Sequence, residues 1–169
     1  GFYLPGTAEV LHYLRDVLGS VIGLANSSGT LVERYTYDPY GRTLIEWLVE
    51  MPEGEPWAPL NASFYGNPWM WTSQRYDAGV KLYHFLFRSY SPVLGRWLQR
   101  DPLEYVDGVN LYEYLNGDPI KGSDPYGLLD PAGGFRYTPA DYQKMVTKVD
   151  ELINSELGPH ISNGDRSSL

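Results

Sequence analysis

The sequence predicts a mainly β chain, an antiparallel meander of hairpins followed by one C-terminal α-helix. Tyrosine and tryptophan, which favour strands, number 15 and 5 among 169 residues, against 5 phenylalanines. Glycine and proline, which mark turns, number 18 and 13 without the periodicity of collagen. Short aromatic and apolar runs alternate with these turns along most of the chain, whereas helical spacing of apolar residues lies near its end.

Residues 1–49 are predicted to form the first hairpins. Strands are expected at residues 10–17, 21–25, 31–37 and 42–49. The sequence Asp-Pro-Tyr-Gly at 38–41 is typical of a β-turn, because aspartate accepts local hydrogen bonds, proline presets φ and glycine tolerates positive φ. This segment therefore reads as a run of sequential antiparallel strands.

The second half of the chain contains a connection, further strands and a tail. Residues 50–68 are rich in proline, which disfavours a central strand, and are expected to form a connection. Residues 69–128 are predicted to form a second unit, with strands at 69–76 and 81–90 and a single helical turn at 110–115. The tail, residues 129–169, is predicted to hold a helix over about 139–157, because Thr138 is a suitable N-cap and apolar residues follow at helical spacing. We expect that helix to pack on the β body or on a partner.

Charge and residue usage exclude several classes of function. A net charge of −8 argues against a nucleic-acid partner, since phosphates are held by clustered Lys and Arg. The absence of cysteine excludes disulfides, thiolate zinc sites and cysteine nucleophiles. No cofactor or metal motif is found, and no membrane span or signal peptide is expected. Because the chain starts with Gly1, we expect a fragment of a longer protein.

Three segments resemble one another, at residues 34–42, 75–79 and 88–96. Each places an aromatic residue just before a turn that contains glycine. Repeats of this kind indicate units that bury their faces only against stacked neighbours. Hairpin proteins also reuse the same turn chemistry, so the two interpretations stay open on spacing alone.

Specific motifs connect the chain to a known family. The sequences YLRDVLGSV at 13–21 and ERYTYDPYGR at 33–42 resemble the YD repeats of the rearrangement-hotspot (Rhs) family. Residues 75–128 resemble the repeat-associated core domain of that family. The motifs that carry this second resemblance are SPVLGRWLQRDP at 91–102, NLYEY at 110–114 and DPYGL at 124–128. The tail lies outside the resemblance.

The resemblance implies the closing part of an Rhs/YD-repeat β-shell. Such shells enclose a C-terminal cargo polypeptide, often a toxin, as in Rhs effectors and the Tc toxin C component. The implied partners are the chain's own C-terminal segment or cargo, the upstream YD-repeat strands and a secretion apparatus. The implied location is secreted or at the bacterial cell surface. The core domain resembles an aspartyl protease acting on its own chain. The implied cleavage site is Gly127 and Leu128, with the cut after Leu128.

Four residues are candidates for that chemistry. An aspartyl protease needs two carboxylates, one to activate water and one to donate a proton, and Asp101 and Asp124 both stand in Asp-Pro steps. Glu113 is a further possible partner, and Arg100 is suited to orient a carboxylate. Asp-Pro sequences are also ordinary turns, so both interpretations of the aspartates stay open. Glu104 departs from the glycine that many relatives carry, which removes easy access to positive φ and adds a charge near the site.

The alternative function is that of a non-enzymatic cell-surface or cell-wall YD-repeat protein for adhesion or carbohydrate binding. Trp57, Trp69 and Trp71 are suited to stack on sugar rings. Aromatic residues of a sheet more often pair across strands, which favours a structural role for these side chains.

Overall fold

The computed structural model describes residues 2–3, 10–48, 56–106, 108–120 and 122–128, together with Thr147 and Glu151. Within these described residues, ten strands form two antiparallel sheets, so the predicted β-rich class is confirmed. The strands are β1 Phe2–Tyr3, β2 Val10–Arg15, β3 Val21–Ala25, β4 Leu31–Tyr37, β5 Thr43–Leu48, β6 Trp57–Leu60, β7 Arg75–Asp77, β8 Leu82–His84, β9 Ser89–Ser91 and β10 Arg96–Trp97. Three short 3-10 turns lie at Trp71–Ser73, Glu104–Val106 and Leu115–Gly117.

The first sheet follows chain order, β1-β2-β3-β4-β5-β6. Its register pairs Tyr35 with Ile45 and places both side chains in the core. β6 was not predicted as a strand because Pro59 lacks a backbone donor. The strand forms because it occupies the edge of the sheet, where a missing donor leaves no neighbour unpaired.

The second sheet has the order β10-β9-β8-β7. The strand expected over 81–90 is divided into β8 and β9 by a tight turn, in which the Phe85 amide donates to the Arg88 carbonyl at 3.0 Å. The helical turn expected at 110–115 is displaced to Leu115–Gly117. Its sequence signal was weak because one turn carries too few residues to show a period.

An aromatic cluster joins the two sheets. The Trp71 ring lies 5.3 Å from Tyr90 and 5.2 Å from Tyr114, centroid to centroid. Trp97 in turn packs 4.8 Å from Phe85 with its ring nearly perpendicular. The Tyr83 and Tyr90 hydroxyls donate to the Gly41 and Tyr40 carbonyls, so these two side chains combine buried apolar area with hydrogen-bonded polar groups.

The predicted C-terminal helix, 139–157, lies outside the described residues apart from Thr147 and Glu151. Its apolar stripe therefore stays a prediction, as do the proposed boundaries at residues 49, 68 and 128. In the described ranges, no helix has the length and apolar character needed to cross a membrane.

Candidate active site

A buried cluster of three charged side chains lies at the end of the second sheet. Arg88 donates from one terminal nitrogen to Asp101 Oδ2 at 2.9 Å and from the other to Asp124 Oδ2 at 3.4 Å. The exposed fractions are 4% for Arg88, 7% for Asp101 and 3% for Asp124. The two aspartates singled out in the sequence are therefore brought together through one guanidinium group.

Each aspartate uses its other oxygen to hold a turn. Asp101 Oδ1 accepts the Leu103 amide at 2.8 Å. Asp124 Oδ1 accepts the Gly127 amide at 2.8 Å and the Tyr126 amide at 3.2 Å. The turn interpretation and the acid interpretation are thus compatible, because one oxygen serves the backbone and the other faces Arg88.

Arg88 owes its position to the turn between β8 and β9. Its guanidinium lies 4.3 Å from the centre of the Trp97 ring, an arrangement that favours a cation. Its Nε donates to the Gly127 carbonyl. Arg88 therefore connects both carboxylates to the backbone just before the predicted cleavage bond.

Burial is the main influence on the Asp101 carboxyl. Desolvation raises the pKa of Asp101 above its ordinary value, and the nearby Arg88 guanidinium opposes part of that rise. A cluster of one cation and two carboxylates has a net charge of −1 when both acids are ionised. One bound proton would neutralise it, which is favourable in a site shielded from water.

Gly127 and Leu128, the predicted cleavage residues, are both buried. Gly127 has φ +75°, and a Cβ there would lie 3.0 Å from the Phe85 Cβ. Only glycine fits this position without displacing neighbours. The DPYGL motif thus presses its backbone against the aromatic cluster beside Arg88.

Arg100 and Glu113 lie elsewhere. Both side chains are exposed, and neither contributes an ion pair to the Arg88 cluster. Glu113 forms a backbone bridge with Arg96. Their assignment as site residues stays a prediction. Sequence reasoning missed Arg88, although its place in the third repeat-like segment, at 88–96, was a usable signal.

Glu104 adopts the backbone conformation that its departure from glycine made unfavourable. Its φ is +59°, in the left-handed region, directly after the Asp101 turn. The side chain is exposed, so its charge faces solvent and not the buried cluster.

The three tryptophans proposed as a sugar platform differ in their surroundings. Trp71 is buried in the core, while Trp57 lies under the Arg34 guanidinium at 4.6 Å. Trp69 is partly exposed. Within the ranges that the structure describes, no group of three or more His, Cys, Asp or Glu residues is arranged to hold a metal ion.

Comparison with known proteins decides the family. Toxin subunit YenC1 of Yersinia entomophaga is 33% identical over 140 residues, which cover 82% of this chain and 13% of YenC1. Toxin protein Tse5 of Pseudomonas aeruginosa is 29% identical over 126 residues, 75% of this chain and 8% of Tse5. This chain belongs to the Rhs/YD-repeat family.

Solved structures agree with this assignment. The crystal structure of TcdB2-TccC3 matches with a TM-score of 0.57 and 28% identity, covering 71% of this chain and 5% of that one. The same pair without its hypervariable C-terminal region matches with a TM-score of 0.56. No protein-family model matches this chain. The chain spans only a small part of the length of these relatives. It is related to toxin proteins.

Proposed function

We propose that this chain is the C-terminal part of an Rhs/YD-repeat protein that encloses and helps export a toxin-like polypeptide, and that it cuts its own backbone after Leu128. The observation that carries the cleavage proposal is the Arg88 cluster. It gathers Asp101, Asp124 and the Gly127 carbonyl in one buried place next to the bond in question.

The chemistry assigned to the cluster is hydrolysis of one peptide bond. Asp124 takes a proton from water as the water oxygen attacks the Leu128 carbonyl carbon. Asp101, whose pKa is raised by burial, gives its proton to the leaving nitrogen as the C–N bond breaks. The products are a carboxylic acid at Leu128 and an amine on the next residue. The acid gives its proton to that amine, which leaves a carboxylate and an ammonium, and a proton returns from Asp124 to Asp101.

The role in enclosure is supported by fold and by kinship. The first sheet grows strictly by sequential antiparallel pairing, which is suited to continuation by upstream strands. Two relatives carry the names toxin subunit and toxin protein, and the matched crystal structure pairs TccC3 with TcdB2. We propose as partners the residues after Leu128 or other cargo, upstream YD-repeat strands and a secretion apparatus, with a secreted or surface location in bacteria.

The test of cleavage is the Asp101→Asn variant of the full-length protein. The wild-type protein should appear as two polypeptides in a denaturing mass measurement, and the variant as one. Asp77→Asn is the matched control, because Asp77 also accepts turn amides, from Gly79 and Val80, but lies outside the Arg88 cluster. An intact wild-type chain, or cleavage that survives in Asp101→Asn, would refute the proposal.

A further inference from the structure

The turn of residues 38–42, called here the YD turn, joins β4 to β5 in the first sheet and contacts the second sheet. Asp38 Oδ1 accepts the amides of Tyr40 at 2.9 Å and Arg42 at 2.8 Å, so the turn is held by its own aspartate. Gly41 has φ +80°, and a Cβ there would lie 2.5 Å from the Trp71 ring. The turn is therefore shaped for close contact with the aromatic cluster.

The second sheet bonds the YD turn directly. Tyr90 donates its hydroxyl to the Tyr40 carbonyl at 3.1 Å, and Tyr83 donates to the Gly41 carbonyl at 3.1 Å. Both tyrosines are almost fully buried. These bonds fix the YD turn against strands β8 and β9.

Arg42, in the YD turn, donates hydrogen bonds to the 91–95 turn of the second sheet. Its Nη2 donates to the Val93 carbonyl at 2.8 Å and its Nε to the Pro92 carbonyl at 3.4 Å. The Arg42 side chain is 60% exposed, so these bonds and a 3.7 Å ion pair with Asp38 are its main contacts. Its contribution is orientation of the 91–95 turn and not burial of apolar area.

The 91–95 turn leads straight to the Arg88 cluster. It joins β9 to β10, and β10 ends at Trp97, the ring that faces the Arg88 guanidinium. Tyr90, which bonds the YD turn, also packs against Trp97 with ring centres 5.4 Å apart. A displacement of the YD turn would thus reach Arg88 through two aromatic side chains, Tyr90 and Trp97.

We infer that Arg42 is a positioning residue for self-cleavage, so that the chain cuts itself only after the YD turn has docked on the 91–95 turn. This inference rests on the proposed function. Its consequence is an order of events: the first sheet seats on the second, Trp97 and Arg88 take up their positions, and then the bond after Leu128 is cut. Cleavage would then be tied to completion of the β structure.

The experiment compares cleavage rates in full-length protein after cell-free synthesis. Arg42→Ala should slow cleavage roughly tenfold or more, since a small displacement of catalytic groups is costly. Arg42→Lys keeps the charge on a single donor nitrogen and should recover part of the cleavage rate. Arg34→Ala is the matched control, because Arg34 pairs with Glu46 inside the first sheet. This variant should cleave as fast as wild type.

Thermal unfolding measured on the same samples separates positioning from loss of fold. Slow cleavage by Arg42→Ala with a melting temperature close to that of Arg34→Ala supports the inference. Wild-type rates in both Arg42 variants would overturn it while leaving the proposed function intact. If Arg42→Ala does not fold, the rate of folded Arg42→Lys decides, and a rate equal to wild type overturns the inference. An uncut wild-type chain would refute the proposed function and, with it, this inference.

Discussion

Arg88 satisfies three acceptors from different parts of the chain, namely two carboxylates and the Gly127 carbonyl. A guanidinium is suited to this because its donors point in fixed, separate directions. Lysine at the same position would present one compact charge and could not hold the three acceptors in one plane. The geometry of the cluster therefore depends on arginine in particular.

Cleavage is predicted to slow as the pH rises from the acidic range. Burial raises the pKa of Asp101, so this acid keeps its proton to higher pH than an exposed aspartate. Since the protonated form is the proposed donor, the cleavage rate should fall as pH rises through that raised pKa. A time course of cleavage after cell-free synthesis, stopped at intervals across pH 4 to pH 9 (about five units), measures it. A rate that only increases with pH would contradict the proton-donor role.

Glu104 is predicted to cost stability because a side chain is unfavourable at φ +59°. Glu104→Gly should raise the free energy of unfolding by about 1 kcal/mol. Asn116 is the control, since its φ is +52° and asparagine tolerates this region. Asn116→Gly should therefore change the free energy of unfolding by only a few tenths of the change expected for Glu104→Gly. Urea unfolding of the three proteins provides the comparison, and equal effects of both substitutions would contradict the explanation.

The aspartates were predicted from sequence and Arg88 was missed, for a physical reason. Asp101 and Asp124 stand in Asp-Pro turns, and a turn signal can be recognised from adjacent residues alone. Arg88 acquires its role only when the turn between β8 and β9 places it opposite residues 13 and 36 positions later. Arg100, adjacent to Asp101 in sequence, is exposed because the chain turns at that point.

Among the elements, β4 holds the connection after β6 through a buried carboxylate. Glu33 is fully buried, and it accepts hydrogen bonds from the Ser63 hydroxyl at 2.6 Å, the Phe64 amide at 2.8 Å and the Tyr35 hydroxyl. These donors belong to the strand and to the loop that covers it. The carboxylate therefore fastens part of the Pro-rich connection to the first sheet.

Removing that carboxylate should be costly. Glu33→Ala leaves three donors without their acceptor, and we predict a loss of about 2–4 kcal/mol in the free energy of unfolding. Glu46→Ala, which removes only the partly exposed pair with Arg34, should cost about 1 kcal/mol or less. Chemical denaturation of both variants measures the difference. Similar losses would show that Glu33 is not the fastening point.

Hairpin strands were well predicted because their turns carry strong local signals. The predicted strands at 21–25 and 31–37 coincide with β3 and β4. β6 and the division of 81–90 were missed, since both depend on which neighbour a segment meets and not on its own sequence. The role of the Glu33 carboxylate was missed for the same reason, because its partners at residues 63 and 64 are distant in sequence.

At the scale of the whole molecule, the proposed cleavage residues lie where contacts from both sheets meet. The YD turn, the aromatic cluster and the Arg88 cluster form one continuous set of contacts from the first sheet to Gly127. Under the proposed function, the residues after Leu128 become a separate polypeptide on cleavage. Such an arrangement suits a protein that must release a segment while its β structure stays intact.

The most direct measurement is the mass of each polypeptide in freshly purified full-length protein, unfolded before analysis. We predict two species, one ending at Leu128 and one beginning with Leu129, with only the unbroken chain found in Asp101→Asn. A single unbroken mass for the wild-type protein, or a cut at another bond, would contradict self-cleavage by the Arg88 cluster.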